Sequence, residues 1–429
     1  YFELHIDTAE YAAASEDAGR LRSLAHAAGD WVEEANSLRQ LGLVRRKQGE
    51  NQAALECYQQ AQALFDGRKE LTKAEQIAKT TLLYNLGWLL CRMTHYEQAD
   101  VVLQDALAAA RREQMAHIEI DSLSALGANQ LPQGNLAQAG IYCESARARA
   151  MAVGDRANQA RALNNLAIIE QRSNNFSAAQ AFLVAALHLL QAVGDRWNEV
   201  NTWNGLGVLY QDTGQFSRAE QAYHSALDLS REIGDEEGVM YLLINQGLVQ
   251  RDLGRLDVAR ISLAEGKMLA EKQANAFMTA AFTSQEAILD LLKGNYENAA
   301  CLAAQALEAR TGLGVEATAS DNLAVLALAN ARLGQLAQAA PWANQALQIL
   351  DTTGGEGLEN PIQDYWFCYQ ALAGLGQDER SRQVLGNALR LVQRNAERMI
   401  EAQMRQSYLE NVPACREILG EARRLGMIS

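Results

Sequence analysis

The chain has 429 residues, with 38 Lys and Arg against 52 Asp and Glu, for a formal net charge of −14. That acidity argues against nucleic acid, which calls for a basic stripe, and suits cationic or neutral partners. Four prolines and abundant Ala and Leu point to an all-α chain. No run of about 18 apolar residues reads as a membrane span, and no signal-peptide pattern opens the chain, so a cytoplasmic protein is expected. The six cysteines (Cys57, Cys91, Cys143, Cys301, Cys368 and Cys415) form no C-x-x-C pair, and buried thiols are expected rather than zinc or redox motifs. Seven lysines among 38 basic residues is an arginine bias that, with the alanine content, points to a GC-rich bacterial source.

In chain order, residues 10–28 read as one helix. It is the second helix of a copy whose first is missing, so 1–29 forms a partial N-terminal repeat and the chain reads as cut from a longer protein. From 30 to 377 the sequence repeats. Taking a turn residue as marker gives Gly49, Thr94, Gly134, Asn174, Gly214, Gly254, Gly294, Gly334 and Gly376, with steps of 45, then 40, then a final 42. Seven positions before each marker stand Gly42, Gly87, Gly127, Ala167, Gly207, Gly247, Ala287 and Ala327, broken only by Tyr369. Five after each stands Ala54, Ala99, Ala139, Ala179, Ala219, Ala259, Ala299 and Ala339, then Ser381. Chance does not hold small residues in register through so many copies.

Within one copy, Trp203, Leu206, Gly207 and Tyr210 follow i, i+3, i+4, i+7, one face of a helix. Phe216, Ala219, Tyr223 and Ala226 give a second helix. Between them Gly214 closes the first, because glycine tolerates the left-handed conformation of a helix end. Asn174 is expected to do the same, and Thr94 to do it under strain. The Gly-Asp pairs at Gly29, Gly154, Gly194 and Gly234 end the second helices and cap the next ones, Asp being a good N-cap. The stretch Asp30–Glu33 has the spacing of a capping box. A lone helix pair cannot bury both apolar faces, whereas stacked neighbours can, which predicts a solenoid. Near the C-terminus, Asp351–Pro361 reads as an irregular loop with no phosphate-binding motif. A long helix from about Asp378 to Tyr408 is expected to open a polar cap over 378–429.

The run Trp203–Tyr210 with Gly214, Ala219, Tyr223 and Ala226 resembles the tetratricopeptide repeat. The usual unit of that family is about 34 residues with a late proline. The longer unit and Gly-Asp junction here are similar to the branch of kinesin light chain-like and Pins-type adaptors and of MalT-like sensor arms of bacterial STAND regulators. The tail from Arg405 to Leu419 also resembles one that closes such arrays in bacterial ATPase and cyclase regulators. The resemblance implies a right-handed superhelical solenoid of about nine repeats whose first helices line a concave groove.

The sequence carries no catalytic constellation. None of its six histidines makes H-E-x-x-H, and there is no nucleophile elbow or dinucleotide fingerprint. A non-catalytic scaffold without metal or cofactor is therefore expected. Mapped onto this chain, the family's groove positions are Asn36, Arg39, Arg46, Tyr84, Trp88 and Arg92, then Arg161, Asn164, Gln171 and Arg172. Next come Asn201, Asn204, Gln211 and Asp212, and then Tyr241 and Arg251. Asn and Arg there would hold the amides and carboxylates of an extended peptide, and later copies turn apolar at Ile288, Leu291 and Leu328. The expected partner is a protein or peptide gripped in this groove, with the chain acting as the sensor part of a larger bacterial regulator. The alternatives are a small-molecule inducer sensor of a STAND ATPase or transcription regulator, and a structural module that self-associates through its C-terminal helix.

Overall fold

The computed structural model describes residues 11–428 apart from 67, 69, 174, 316–318 and 356–357. Its described residues hold 21 helices and no strand. Helix α1 (Tyr11–Ala28) stands before nine consecutive hairpins. These are α2 (Trp31–Lys47) with α3 (Asn51–Asp66), α4 (Lys73–Arg92) with α5 (Tyr96–Arg112), and α6 (Ala116–Gln130) with α7 (Leu136–Val153). Next come α8 (Arg156–Arg172) with α9 (Phe176–Val193), α10 (Arg196–Asp212) with α11 (Phe216–Glu232), and α12 (Glu236–Asp252) with α13 (Leu256–Lys272). The last three are α14 (Ala276–Lys293) with α15 (Tyr296–Gly312), α16 (Ser320–Arg332) with α17 (Leu336–Thr353), and α18 (Pro361–Gly374) with α19 (Asp378–Glu397). Helices α20 (Ala402–Asn411) and α21 (Pro413–Arg424) end the chain, so the expected run to Tyr408 is broken after Glu397. Helix α9 corrects the membrane reading. Its 18 residues have a mean hydropathy of 1.6 and could span a bilayer by length and composition, yet Ala179, Leu183, Ala186, Leu187 and Leu190 are buried in the repeat stack.

The helices stop where the backbone turns left-handed. Gly214 has φ +69°, its N–H donates to the Gln211 carbonyl, and the Gln215 N–H donates to that of Tyr210 at 2.7 Å, a Schellman closure. Thr94 occupies the same conformation at φ +62°, as expected. Two further non-glycine residues, Gln114 and Ala274, sit at φ +58° and +52°, in the slots that Gly154 and Gly234 fill elsewhere. Asn174 lies outside the described residues. The Asp caps hold: Asp30, Asp155, Asp195 and Asp235 each accept from the N–H three residues on. At Asp30 only that arm of the capping box forms, while Thr72 and Glu75 make the full box.

Inside each hairpin, the small residue of the first helix meets a large one on the second. A Cβ on Gly207 would come within 2.4 Å of the Tyr223 ring, and one on Gly42 within 2.4 Å of Tyr58. Both tyrosines are fully buried. Cys143 fills this place beside Gly127, and burial pushes its thiol up to about 12. Cys368 and Cys415 are buried too, but Cys301 is exposed, contrary to the expectation for all six.

The chain divides into two compact units, Tyr1–Ser173 with Val184–Gly194 and Asn174–Leu183 with Asp195–Ser429. In the first unit the successive first helices α2, α4, α6 and α8 pack directly on one another, and in the second α10, α12, α14, α16 and α18 do so. The second helices do not pack on one another in this way. Within each unit the stack therefore bends toward its first helices, which line the inner wall.

Candidate ligand-binding wall

In the first unit the wall begins on α2 and α4. Arg39 and Arg46 are half-buried on α2, and Tyr84 and Trp88 are half-buried on α4 with Arg92 exposed. The Arg46 guanidinium lies 4.3 Å from the Trp88 ring centroid and that of Arg92 lies 5.2 Å away. One repeat on, Arg161 donates to Asp121 at 2.9 Å. These residues share one register position 40 residues apart, so the ion pair is a rung between α6 and α8. Burial lifts the Asp121 carboxyl, and Arg161 opposes the shift. Tyr84 is lifted chiefly by burial, with Asp121 adding to the shift and Arg161 and Arg46 opposing it. Arg172 is exposed and donates to the Leu131 carbonyl at 2.7 Å, while Asn164 and Gln171 are half-buried on α8.

In the second unit, Asn245 donates to Asn204 at 3.0 Å, another rung between successive first helices. Asn201 and Tyr241 are exposed along the same wall, Tyr241 by 47 %. Beyond them lies a polar chain. Tyr223 donates to Gln211 at 2.9 Å, and Gln211 supports Asp252. Asp252 accepts from Arg251 at 2.9 and 3.0 Å, and Arg251 also donates to Gln285 at 3.2 Å. The sequence offers Arg251 to a ligand, but its side chain is only 4 % exposed and braces its neighbours. Asp212, exposed beside this chain, has no such brace among the described residues. Protein crowds it on enough sides that lost hydration lifts its carboxyl to about 7.

The apolar groove expected in the later copies is not open. Ile288, Leu291 and Leu328 are buried in the core cluster of the last repeats, and Leu358 from the junction before α18 packs on that cluster. Next to it Gln285 donates to Glu359 at 3.2 Å, so the irregular junction reaches the wall at α14. Sequence reasoning missed Asp121, Asn245 and Asp252, although the repeat register signals each. It also missed Glu359, for which no periodic signal exists.

The family profile of the tetratricopeptide repeat matches residues 198–266 and 37–70. Three solved structures are similar in fold. A Signal Transduction ATPase with Numerous Domains (STAND) protein with a tetratricopeptide repeat sensor, from Pyrococcus horikoshii, is 16% identical with a TM-score of 0.57 over 83% of this chain and 52% of its own. The chain thus spans about half the length of that protein. The apo quorum sensor NprR from B. thuringiensis is 15% identical with a TM-score of 0.52, covering 86% of this chain and 99% of its own. A Rap protein complexed with Competence and Sporulation Factor is 14% identical with a TM-score of 0.50, covering 82% and 99%. No curated protein matches the sequence at a significant level. The nine hairpins, the small residues at their contacts and the two profile matches within them lead to one conclusion: the chain carries tetratricopeptide repeats within a stack of helical hairpins built on a forty-residue unit.

Proposed function

We propose that the chain is a non-catalytic scaffold that grips an extended peptide or protein segment along its first-helix wall, acting in the cytoplasm as the sensor part of a larger bacterial regulator. One observation carries the reading. In the first unit Arg161 bonds Asp121 across successive first helices while Trp88 stays half-exposed, and in the second Asn245 bonds Asn204 while Asn201 and Tyr241 stay exposed. Rungs fix the spacing of the wall before a ligand arrives, and preorganisation lowers the cost of binding. Half-exposed Asn, Arg and aromatic side chains are the groups that engage peptide amides, carboxylates and side chains. The printed descriptions of the similar structures, a repeat sensor, a quorum sensor and a Rap protein with a bound factor, accord with this role. The Pyrococcus horikoshii protein extends well beyond the matched part, which favours a regulator with further domains.

The test is selection of binders from a displayed random-peptide library. Selected peptides are expected to lose at least about tenfold in affinity to Asn204→Ala with Tyr241→Ala, or to Arg161→Gln with Asn164→Ala. They should be indifferent to Ile261→Ser with Met268→Ser on α13, where both side chains are about 70 % exposed. Binding that follows the α13 pair, or a library that yields nothing, refutes the wall as the site.

A further inference from the structure

We propose that Trp197, Glu237, Tyr241 and Phe277 form a cation-binding patch on the wall of the second unit, and that its ligand is an extended peptide stretch bearing Lys or Arg side chains. The proposal rests on the wall reading above and narrows it to one ligand chemistry. Trp197 stands in the first turn of α10, Glu237 in that of α12 and Phe277 in that of α14, each 40 residues from the next. Each therefore occupies the same place on its helix, and the three helices pack in succession, α10 on α12 and α12 on α14. Tyr241 lies one turn after Glu237 on α12, so the two side chains are neighbours on one face. Asn201, also exposed, holds the corresponding place on α10. Trp197, Tyr241 and Phe277 are 58 %, 47 % and 50 % exposed, and among the described residues no other Trp, Tyr or Phe is exposed. Apolar side chains exposed singly are ordinary. Three exposed rings confined to one stripe of three adjacent helices are a surface built to be covered.

Charge selects the ligand. Glu237 is exposed in the middle of the stripe and forms no ion pair among the described residues. Basic side chains at the neighbouring helix ends are engaged elsewhere: Arg196 donates to Glu199 at 3.3 Å, Arg231 to Glu265 at 2.5 Å, and Lys272 lies 3.9 Å from Glu236. Trp31, Trp88 and Tyr210 each carry an arginine of the chain over the ring, whereas among the described residues no such cation covers Trp197, Tyr241 or Phe277. The face of an aromatic ring attracts a cation, and a carboxylate beside it adds to the attraction. Lys and Arg also lay their apolar stems on a ring while the charged head stays in water. The net charge of −14 favours the approach of such a ligand. Packed helices stand about 8–10 Å apart, which is about three residues of extended chain. A peptide laid across α10, α12 and α14 therefore meets Trp197, then Glu237 with Tyr241, then Phe277 at that interval.

The test reads the fluorescence anisotropy of labelled hexalysine with blocked ends, with hexaglutamine as its neutral counterpart and spermine as a competing free polycation. Hexalysine should bind the native chain at least about tenfold more tightly than hexaglutamine. Glu237→Gln should lower its affinity about threefold or more, and so should Trp197→Leu with Phe277→Leu, which keeps apolar area and removes the rings. All three side chains are exposed, so the melting temperatures should stay native. Asp228→Asn deletes an equal charge from an exposed carboxylate on the second helix α11 and should leave binding intact. Equal binding of the two peptides, or a loss in Asp228→Asn as large as in Glu237→Gln, reduces the attraction to the overall charge of the chain and overturns the site. Native affinity in the double leucine variant overturns it as well. Spermine competing as strongly as unlabelled hexalysine replaces the peptide by a free polyamine and overturns the ligand. Library peptides that lose affinity to Asn204→Ala with Tyr241→Ala, yet bind Glu237→Gln and the double leucine variant like the native chain, leave the wall reading standing while this site falls. A library with no binders takes both.

Discussion

Asp212 illustrates how one residue can differ from its repeat equivalents. It sits five positions after Gly207, where Asp252 sits after Gly247, yet Asp252 is bonded by Arg251 and Gln211 while Asp212 has no such partner among the described residues. Its charge is felt by Tyr223 and by Tyr408 of α20, so the carboxylate is crowded by groups that do not neutralise it. Its carboxyl rises from the ordinary 3.8 to about 7. Between these values the unfolded chain has released this proton and the folded chain has kept it. This group therefore makes stability fall as pH rises through that window, and its effect is level above it. Asp212→Asn removes the titration. Melting temperatures of the native chain should drop more between pH 5 and pH 8 than those of the variant. Parallel curves would show that the fold does not crowd this carboxylate.

At the scale of the element, the hairpin contact depends on glycine facing a large side chain. Gly207 is flat against the Tyr223 ring, which is fully buried and holds Gln211 through its hydroxyl. Gly207→Ala puts a methyl where the ring lies, and the ring has no free space to yield. Overpacking of this kind costs about 1–3 kcal/mol, offset only slightly by the better helix propensity of alanine. Chemical denaturation should show that loss, and a variant as stable as the native chain would mean the two helices can part at no cost. This contact was legible in the sequence because Gly42, Gly87, Gly127, Gly207 and Gly247 recur in step. The turns were legible where glycine fills them and, through the step between first-helix turns, at Thr94. Gln114 and Ala274 adopt the same left-handed backbone, but their residue types do not advertise it, so the forty-residue count alone could have found them.

At the scale of the second unit, the chain returns on itself. Asn411 of α20 donates to the Gly214 carbonyl at 3.0 Å, across 197 residues. Phe176, in the first turn of α9, packs on the cluster that holds Tyr408, Cys415 and Ile418. A Cβ on Gly214 would stand 2.6 Å from the Ser407 carbonyl oxygen, whereas one on Gly254 meets nothing within 4 Å. Both glycines are left-handed, so alanine strains both by about 1–2 kcal/mol, but only Gly214→Ala must also displace α20. Hydrogen exchange over Ala402–Asn411 should quicken in Gly214→Ala and Asn411→Ala and stay native in Gly254→Ala. Equal exchange in the two glycine variants would mean that α20 does not dock on this turn.

Periodicity alone determined the hairpins and their small-residue contacts, because those features repeat and each copy meets the same neighbour at the same spacing. The family resemblance, mapped through the repeat register, offered the first helices as the wall and Tyr84, Trp88, Arg161 and Asn204 as candidate residues on it. The tertiary structure alone decided that Arg251 is spent on Asp252 and Gln285, that Ile288, Leu291 and Leu328 are covered, and that Arg46 and Arg92 meet over one ring. It alone docked α20 on Gly214. Those outcomes depend on pairings between residues of different copies, or on junctions outside the repeat, where chain spacing carries no information about who faces whom.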